Sequence, residues 1–394
     1  MKPSILFCFI GLGAALHLVP SAPTKKFELN LTWDTKAPDG VERQQSLING
    51  QFPGPPLLFD EGDNVEVTVN NFLPYNTTMH WHGIEDIVVR WCAWSLAETY
   101  YPWRKICLQI YYFTIRNILA LTLNNGARYS VLVQLNKTPG NYSITAAGAG
   151  INQKIAGYGT FSYVDGDPSV VGKPSIDYGG NSISTDVVVL KENKIKPLIP
   201  SRPSEQADRT YLLTVGRIEK AWKWSLNGDN SYSMSLESEK PMLWDPQSQA
   251  DSDLVIATNN DTWVDIVFTV SGEASTIQPG HPIHKHSNRV YVLGIGTGKF
   301  NWTSVAEAQR EIPDKLNLVD PPMRDTFTTL PSLEAPNWMA VRYHVQNPGA
   351  FFLHCHIDPH LTGGMALAIL DGIDTWPSIP TQYGPNGHWG KAAK

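Results

Sequence analysis

Cysteine is scarce in this 394-residue chain, with four in all, and that excludes a small fold stapled by many disulfides. Charge is scarce too. Only 17% of residues are charged, and 31 lysines and arginines against 37 acids leave a formal charge of -6. No basic cluster offsets that balance, which argues against a nucleic-acid partner. Beyond the first twenty or so residues there is no long apolar run, so no later segment is expected to insert stably in a membrane. No histidine stands between His82 and His281. Glycine and proline are plentiful instead, 31 and 29, and with 42% apolar residues they suit an all-β protein with many turns better than a helical one. The length allows two or three domains.

The histidines that are present come in close groups. His80-Trp81-His82-Gly83 is one, His281-Pro282-Ile283-His284-Lys285-His286 another, and His354-Cys355-His356-Ile357-Asp358-Pro359-His360, ending at Met365, a third. On an extended strand, side chains alternate between faces, so a His-x-His step points two imidazoles the same way. In His354-Cys355-His356 the two histidines then face one way and the cysteine the other. A thiolate, two imidazoles and a weak axial thioether make up the ligand set of a blue-copper electron-transfer site. Cys355 would hold one copper while its covalent neighbours hold a different cluster. Structural zinc is the alternative for Cys355, but it leaves Met365 without a role.

These three runs resemble three of the four copper-binding segments of the multicopper oxidases, the laccase and ascorbate oxidase family. The stretches His281 to Asn288 and Asn347 to His356 look most like the laccases of filamentous ascomycetes associated with pigment formation. The resemblance implies all-β architecture with cupredoxin-like Greek-key β-sandwich domains, the first two truncated or fused. It implies a copper-dependent oxidoreductase that oxidises small phenolic substrates one electron at a time at a type 1 copper and reduces dioxygen to water. Four copper ions are implied. His281, Cys355 and His360 match the type 1 ligands, with Met365 axial; His80 and His284 match the type 2 pair; His82, His286, His354 and His356 match four of the six type 3 ligands. Cys355, His354 and His356 would carry the electrons between sites. An axial methionine lowers the potential and favours easily oxidised phenols.

The fourth segment, a second His-x-His pair after His82, is missing. Where it would stand, the chain reads Ile87-Val88-Val89-Arg90-Trp91-Cys92-Ala93-Trp94 and later Tyr100-Tyr101-Pro102-Trp103-Arg104-Lys105-Ile106-Cys107. The simplest account is a lost internal segment, by exon assignment, frameshift or deletion, with a naturally reduced form as the alternative. A non-catalytic cupredoxin-like chain that keeps at most the type 1 copper is therefore the second functional reading.

Residues 1–22 read as a secretory signal peptide, with an apolar core before Ser21-Ala22. Sequons at Asn30, Asn76, Asn136, Asn141, Asn260 and Asn301 fit a secreted glycoprotein, extracellular or in the cell wall. Such a chain is expected to be monomeric. In that oxidising route Cys92 and Cys107 form a candidate disulfide. The expected domains are 23–119 as a partial first cupredoxin with an atypical segment, 120–165 as a partial second, 166–205 as linker, 206–380 as the C-terminal cupredoxin, and 381–394 as a tail. Alternation predicts strands at 27–34, 64–70, 210–216, 263–270, 289–295 and 338–345, and a hairpin pairing 128–135 with 141–146 around Thr138-Pro139-Gly140. Asp325 and Glu334 read either as acceptors of a phenolic proton or as ordinary solvated carboxylates; Trp244 and Trp338 read as packing.

Overall fold

The computed structural model describes residues 24–60, 63–75, 77, 79–82, 97–102, 111–112, 118–129, 135–148, 155–190, 195–197, 200–218, 222–233, 242–247, 250, 252–271, 279–332 and 335–378. The signal peptide, Asn76, Cys92, Cys107, Glu334 and the tail lie outside them. The chain divides into two compact units, residues 1–77 with 94–106, and 78–93 with 107–394. This division differs from the expected boundaries, because His80 and His82 belong to the second unit.

The first unit is a four-stranded sheet in the order Arg43–Ile48, Thr24–Lys36, Asn64–Asn71, Ala97–Pro102. Its central pair, Thr24–Lys36 with Asn64–Asn71, is parallel. Leu29 and Leu31 are buried as the alternation requires, while Trp33 at the strand end is exposed and packs its ring edge on Tyr75 at 5.6 Å between centroids.

The second unit is dominated by a β-sandwich. One sheet has six strands in the order Lys223–Ser225, Arg209–Ile218, Trp263–Val270, Asn337–His344, Val290–Thr297, Met323–Arg324; the other has five, Val255–Ala257, Ala366–Asp371, Gly349–Cys355, Pro282–Lys285, Thr326–Thr328. Period-two alternation builds the core. Val264, Ile266, Phe268 and Val270 share one apolar cluster with Met339, Val341 and Tyr343 of the same sheet and with Ile283, Leu353, Leu367 and Ile369 of the facing sheet. Val267, Trp338 and Ala340 point the other way, into a second cluster closed by Val305 and Ala308. Asn337–His344 is thus covered on both faces, as a central strand must be. The predicted packing role of Trp338 holds; Trp244 is half-buried.

Those two covering residues sit on the helix Val305–Glu311, capped by the Ser304 side chain, which accepts from the Glu307 backbone N–H at 3.2 Å. Cross-strand partners Asp265 and Arg342 form a fully buried two-point ion pair, 2.6 and 2.8 Å.

Asn141–Ala147 pairs antiparallel with Ala156–Ser162; of the expected partner 128–135, residues 128, 129 and 135 are outside any strand and the others lie outside the described residues. The turn residues Thr138-Pro139-Gly140 instead lie beside the loop at Val170, where Asn141 N–H donates to the Val170 carbonyl at 2.8 Å. The Pro/Gly/Ser-rich passage after 165 is built into the unit at several points: Val188–Val189 pairs with Ile118–Ala120, Leu190 and Ile195 are buried, and Lys196 meets Asp320 at 2.7 Å.

Candidate metal centre

Strand register places the donors. Pro282–Lys285 lies antiparallel between Thr326–Thr328 and Gly349–Cys355, with Ile283 opposite Cys355 and His284 opposite His354. After Cys355 the chain leaves the sheet, and Pro359 stands in the first turn of a short helix, Asp358–Thr362, where its missing N–H costs nothing. The helix brings His360 back beside Cys355. Gly364, at φ +100°, then turns the chain into Ala366–Asp371; a Cβ there would meet the Ser231 hydroxyl and the Tyr232 carbonyl.

Three buried donors converge at the first site. His281 Nδ1 and His360 Nδ1 are 3.2 Å apart, and Cys355 Sγ lies 3.9 and 3.7 Å from them. Metal–nitrogen bonds of about 2.0 Å and a metal–sulfur bond of about 2.3 Å at trigonal angles put the nitrogens ~3.5 Å apart and each ~3.8 Å from sulfur. The residues fit such an ion without rearrangement. Trp224 stacks on His360 at 3.8 Å and meets His281 edge-on at 5.7 Å, and with it the site is closed to water. Burial pushes His281 down to about 3, with help from His360, and His360 down to about 4, so both imidazoles are neutral and able to ligate. Burial pushes the Cys355 thiol up to about 12; a coordinated metal removes that proton outright. Met365 is fully buried in the same apolar cluster as Cys355, and its carbonyl accepts the Cys355 N–H at 3.0 Å.

On the other side of the strand six imidazoles meet in three pairs: His80 Nε2 with His284 Nε2 at 3.0 Å, His286 Nε2 with His354 Nε2 at 3.3 Å, and His82 Nε2 with His356 Nε2 at 3.2 Å. His80 stacks on His286 at 3.7 Å and His82 on His284 at 4.0 Å. His284 Nδ1 donates to the Asp325 carbonyl at 2.9 Å and His354 Nδ1 to the Cys355 carbonyl at 3.0 Å, which leaves each Nε2 as a lone pair aimed at its neighbour. Two ligands on one ion, about 2.0 Å from it at near-tetrahedral angles, stand ~3.3 Å apart, so these separations fit a shared ion as well as a hydrogen bond. Burial, followed by repulsion from the neighbouring imidazoles, drives His284 and His286 far below the ordinary histidine value. His82 and His354 fall to about 4, again chiefly by burial.

Every described histidine of the sequence reading, and Cys355, is therefore brought into one of two groups. Three neighbours were not legible in advance. Trp224 is one. Arg128 is another: its guanidinium grips both oxygens of Asp325, at 2.9 and 2.8 Å, and comes within 3.4 Å of His82 Nδ1. Gly126 is the third, at φ +77°, where a Cβ would stand 2.5 Å from the His356 ring. Asp325 is buried and paired, not a solvated loop carboxylate. His344, stacked on Trp263 and bonded to Asp261, belongs to neither group. Of the sequons, Asn136 and Asn301 are exposed and Asn30, Asn141 and Asn260 half-buried.

Residues 30–92 and 220–374 each match a sequence profile described as multicopper oxidase. The chain is similar to laccase abr2 of Aspergillus fumigatus, 30% identical over 576 positions that take in 93% of this chain and 97% of the relative. Those 576 positions exceed the chain's 394 residues, so more than a third of them face a gap. It is also 40% identical over 279 residues to multicopper oxidase MCE of Talaromyces pinophilus, covering 68% of this chain but 45% of that protein. For several such relatives the chain spans under half of their length. Among solved structures, a laccase from Botrytis aclada aligns with a TM-score of 0.60 at 16% identity, covering 91% of this chain and 90% of that one. Fet3p, described as a multicopper oxidase of iron import, aligns at 0.54 and 14%, covering 91% and 93%. The architecture of those structures is shared by this nearly all-β, cupredoxin-like chain.

Proposed function

Because this chain belongs to the multicopper oxidase family, we propose that it is a laccase-like oxidase that takes single electrons from small phenols and delivers them to dioxygen. Bound copper supplies the one-electron chemistry at the sulfur-containing site and the reduction of dioxygen to water at the imidazole pairs. The chain supplies everything else. His281, Cys355 and His360 would hold the electron-accepting ion, with Met365 near it; His80 and His284, His286 and His354, and His82 and His356 would hold the others.

The observation that carries this reading is the segment His354-Cys355-His356. Its thiol belongs to the first donor group and both of its imidazoles to the second, so covalent bonds join the two groups. Burial keeps the His354 imidazole neutral and water away from the sulfur. A secretory route, glycosylation at the exposed sequons and a role in pigment formation are parts of the same proposal. Among the described residues no helix is long and apolar enough to cross a membrane.

One observation favours the second reading, a cupredoxin-like chain that keeps only the sulfur-containing site: the pairs His82 with His356 and His286 with His354 supply four of the six type 3 imidazoles that the family resemblance implies, since no histidine lies between His82 and His281. Copper per chain and oxygen uptake with a phenol, measured on protein secreted from this sequence in the presence of copper, separate the two. Full copper loading with oxygen consumption supports the oxidase. A blue protein with a single copper and no oxygen uptake establishes the alternative.

A further inference from the structure

Each imidazole pair provides two donors, and copper(II) with nitrogen and oxygen ligands prefers four in a tetragonal set. With all six imidazoles already taken up in the three pairs, a further donor among the described residues comes from a residue other than histidine. Asp325 meets that need. Its carboxylate and the donor atoms of His82 and His284 all lie within 4.8 Å of one another, and the carboxylate, 11% exposed, is held inside the site by its place between the strands Met323–Arg324 and Thr326–Thr328. The backbone carbonyl of the same residue already orients the His284 ring.

Arg128 stands against this use of Asp325. It reaches in from a half-exposed position, spans both carboxylate oxygens and places a positive charge beside His82. Copper(II) carries twice the charge and approaches a carboxylate to about 2 Å, against 2.8 Å for the guanidinium. With attraction scaling as charge over distance, the metal's pull is roughly threefold the stronger at equal screening. A guanidinium on an open flank is displaced by such an ion; the Asp325 backbone need not move.

We propose that Asp325 is a copper ligand of this chain, supplying an oxygen donor where the pairs that contain His82 and His284 meet, and that Arg128 competes with the metal for it. The assignment rests on the multicopper reading and adds a carboxylate to a site otherwise built of imidazoles.

The test is a copper titration of the secreted full-length chain, followed by elemental analysis and electron paramagnetic resonance, with Asp325→Asn and Arg128→Met beside it. The blue absorption of the Cys355 site reports that each variant is folded. Asp325→Asn is expected to lose about one copper per chain with the blue colour kept, and Arg128→Met to bind copper more tightly, on the order of tenfold. An ion pair with a purely structural role makes both variants lose copper together, and that result overturns the proposal. So does an Asp325→Asn chain with unchanged copper content and resonance spectrum, a result that leaves the oxidase reading intact. If the unsubstituted chain takes up copper only at Cys355, the oxidase reading fails first and the proposal with it. Should Asp325→Asn lose its blue colour through misfolding, Arg128→Met decides alone, since misfolding cannot tighten binding.

Discussion

His284 and His354 face each other across adjacent antiparallel strands, yet their ring nitrogens turn to different partners, His284 to His80 and His354 to His286. One cross-strand pair thereby feeds two donor pairs. His284→Ala and His354→Ala should each lose copper from the imidazole group while the Cys355 site stays blue. Elemental analysis beside the visible spectrum checks this; loss of the blue colour in both would show that the two groups do not load separately.

Cys355→Ser removes the soft donor while nearly conserving volume. The blue absorption is expected to vanish with the imidazole-bound copper retained, and oxygen uptake to fall to background. Retained oxidation of phenols by this variant would place the electron entry elsewhere.

The copper-free chain should be most stable between about pH 6.5 and 8.5. His281 is held near 3 and His354 and His360 near 4 in the fold, against about 6.5 unfolded. As pH falls below 6.5 the unfolded chain takes up protons that the folded one refuses, so stability drops, by up to about 1.4 kcal/mol per pH unit for each such group. On the alkaline side the folded Cys355 keeps its proton to about 12, while the unfolded thiol loses it near 8.5, so stability drops again as pH rises. Urea midpoints of chelator-treated protein across this range give the curve; a flat acid limb would mean that these imidazoles are not desolvated.

Lys285 points away from its two histidine neighbours into the core, where its ammonium meets Asp371 at 2.9 Å with both side chains fully buried. Asp371 also accepts from Tyr343, Thr258 and Asn288. Lys285→Met strands that carboxylate and is expected to cost about 3–5 kcal/mol. A loss under about 1 kcal/mol in denaturant titration would contradict the buried pairing.

Gly126→Ala sets a methyl group against the His356 ring in a backbone conformation that costs an L residue about 1–2 kcal/mol. Copper should be lost from the His82 and His356 pair with the Cys355 site intact. Unchanged copper content in this variant would mean that the loop at Gly126 yields readily.

The donors were legible because their spacing is local. A His-x-His or His-Cys-His step states its own geometry on any strand, and the alternation in 263–270 and 338–345 states which residues face the core. What joins those strands is not local. Trp224 reaches His360, Arg128 reaches Asp325, and Gly126 reaches His356 only through tertiary packing, and each sits in a stretch with no chemical signature of its own. The pairing of Asn141–Ala147 with Ala156–Ser162 was not anticipated, because it lies across a longer connection than a tight hairpin turn spans. The helix Val305–Glu311 spans barely two turns, too few to show a period.

Two strands made late occupy inner positions of the two sheets. Asn337–His344 lies between Trp263–Val270 and Val290–Thr297, and Gly349–Cys355 between Ala366–Asp371 and Pro282–Lys285. Until those residues have emerged from the ribosome, the earlier strands have open edges and an uncovered apolar face, the condition in which nascent β proteins aggregate. The Cys355 donor group cannot exist before His360 is synthesised. Metal loading at that group thus follows the synthesis of residue 360, and the metal-free chain must be kept out of aggregates until these late strands close both sheets.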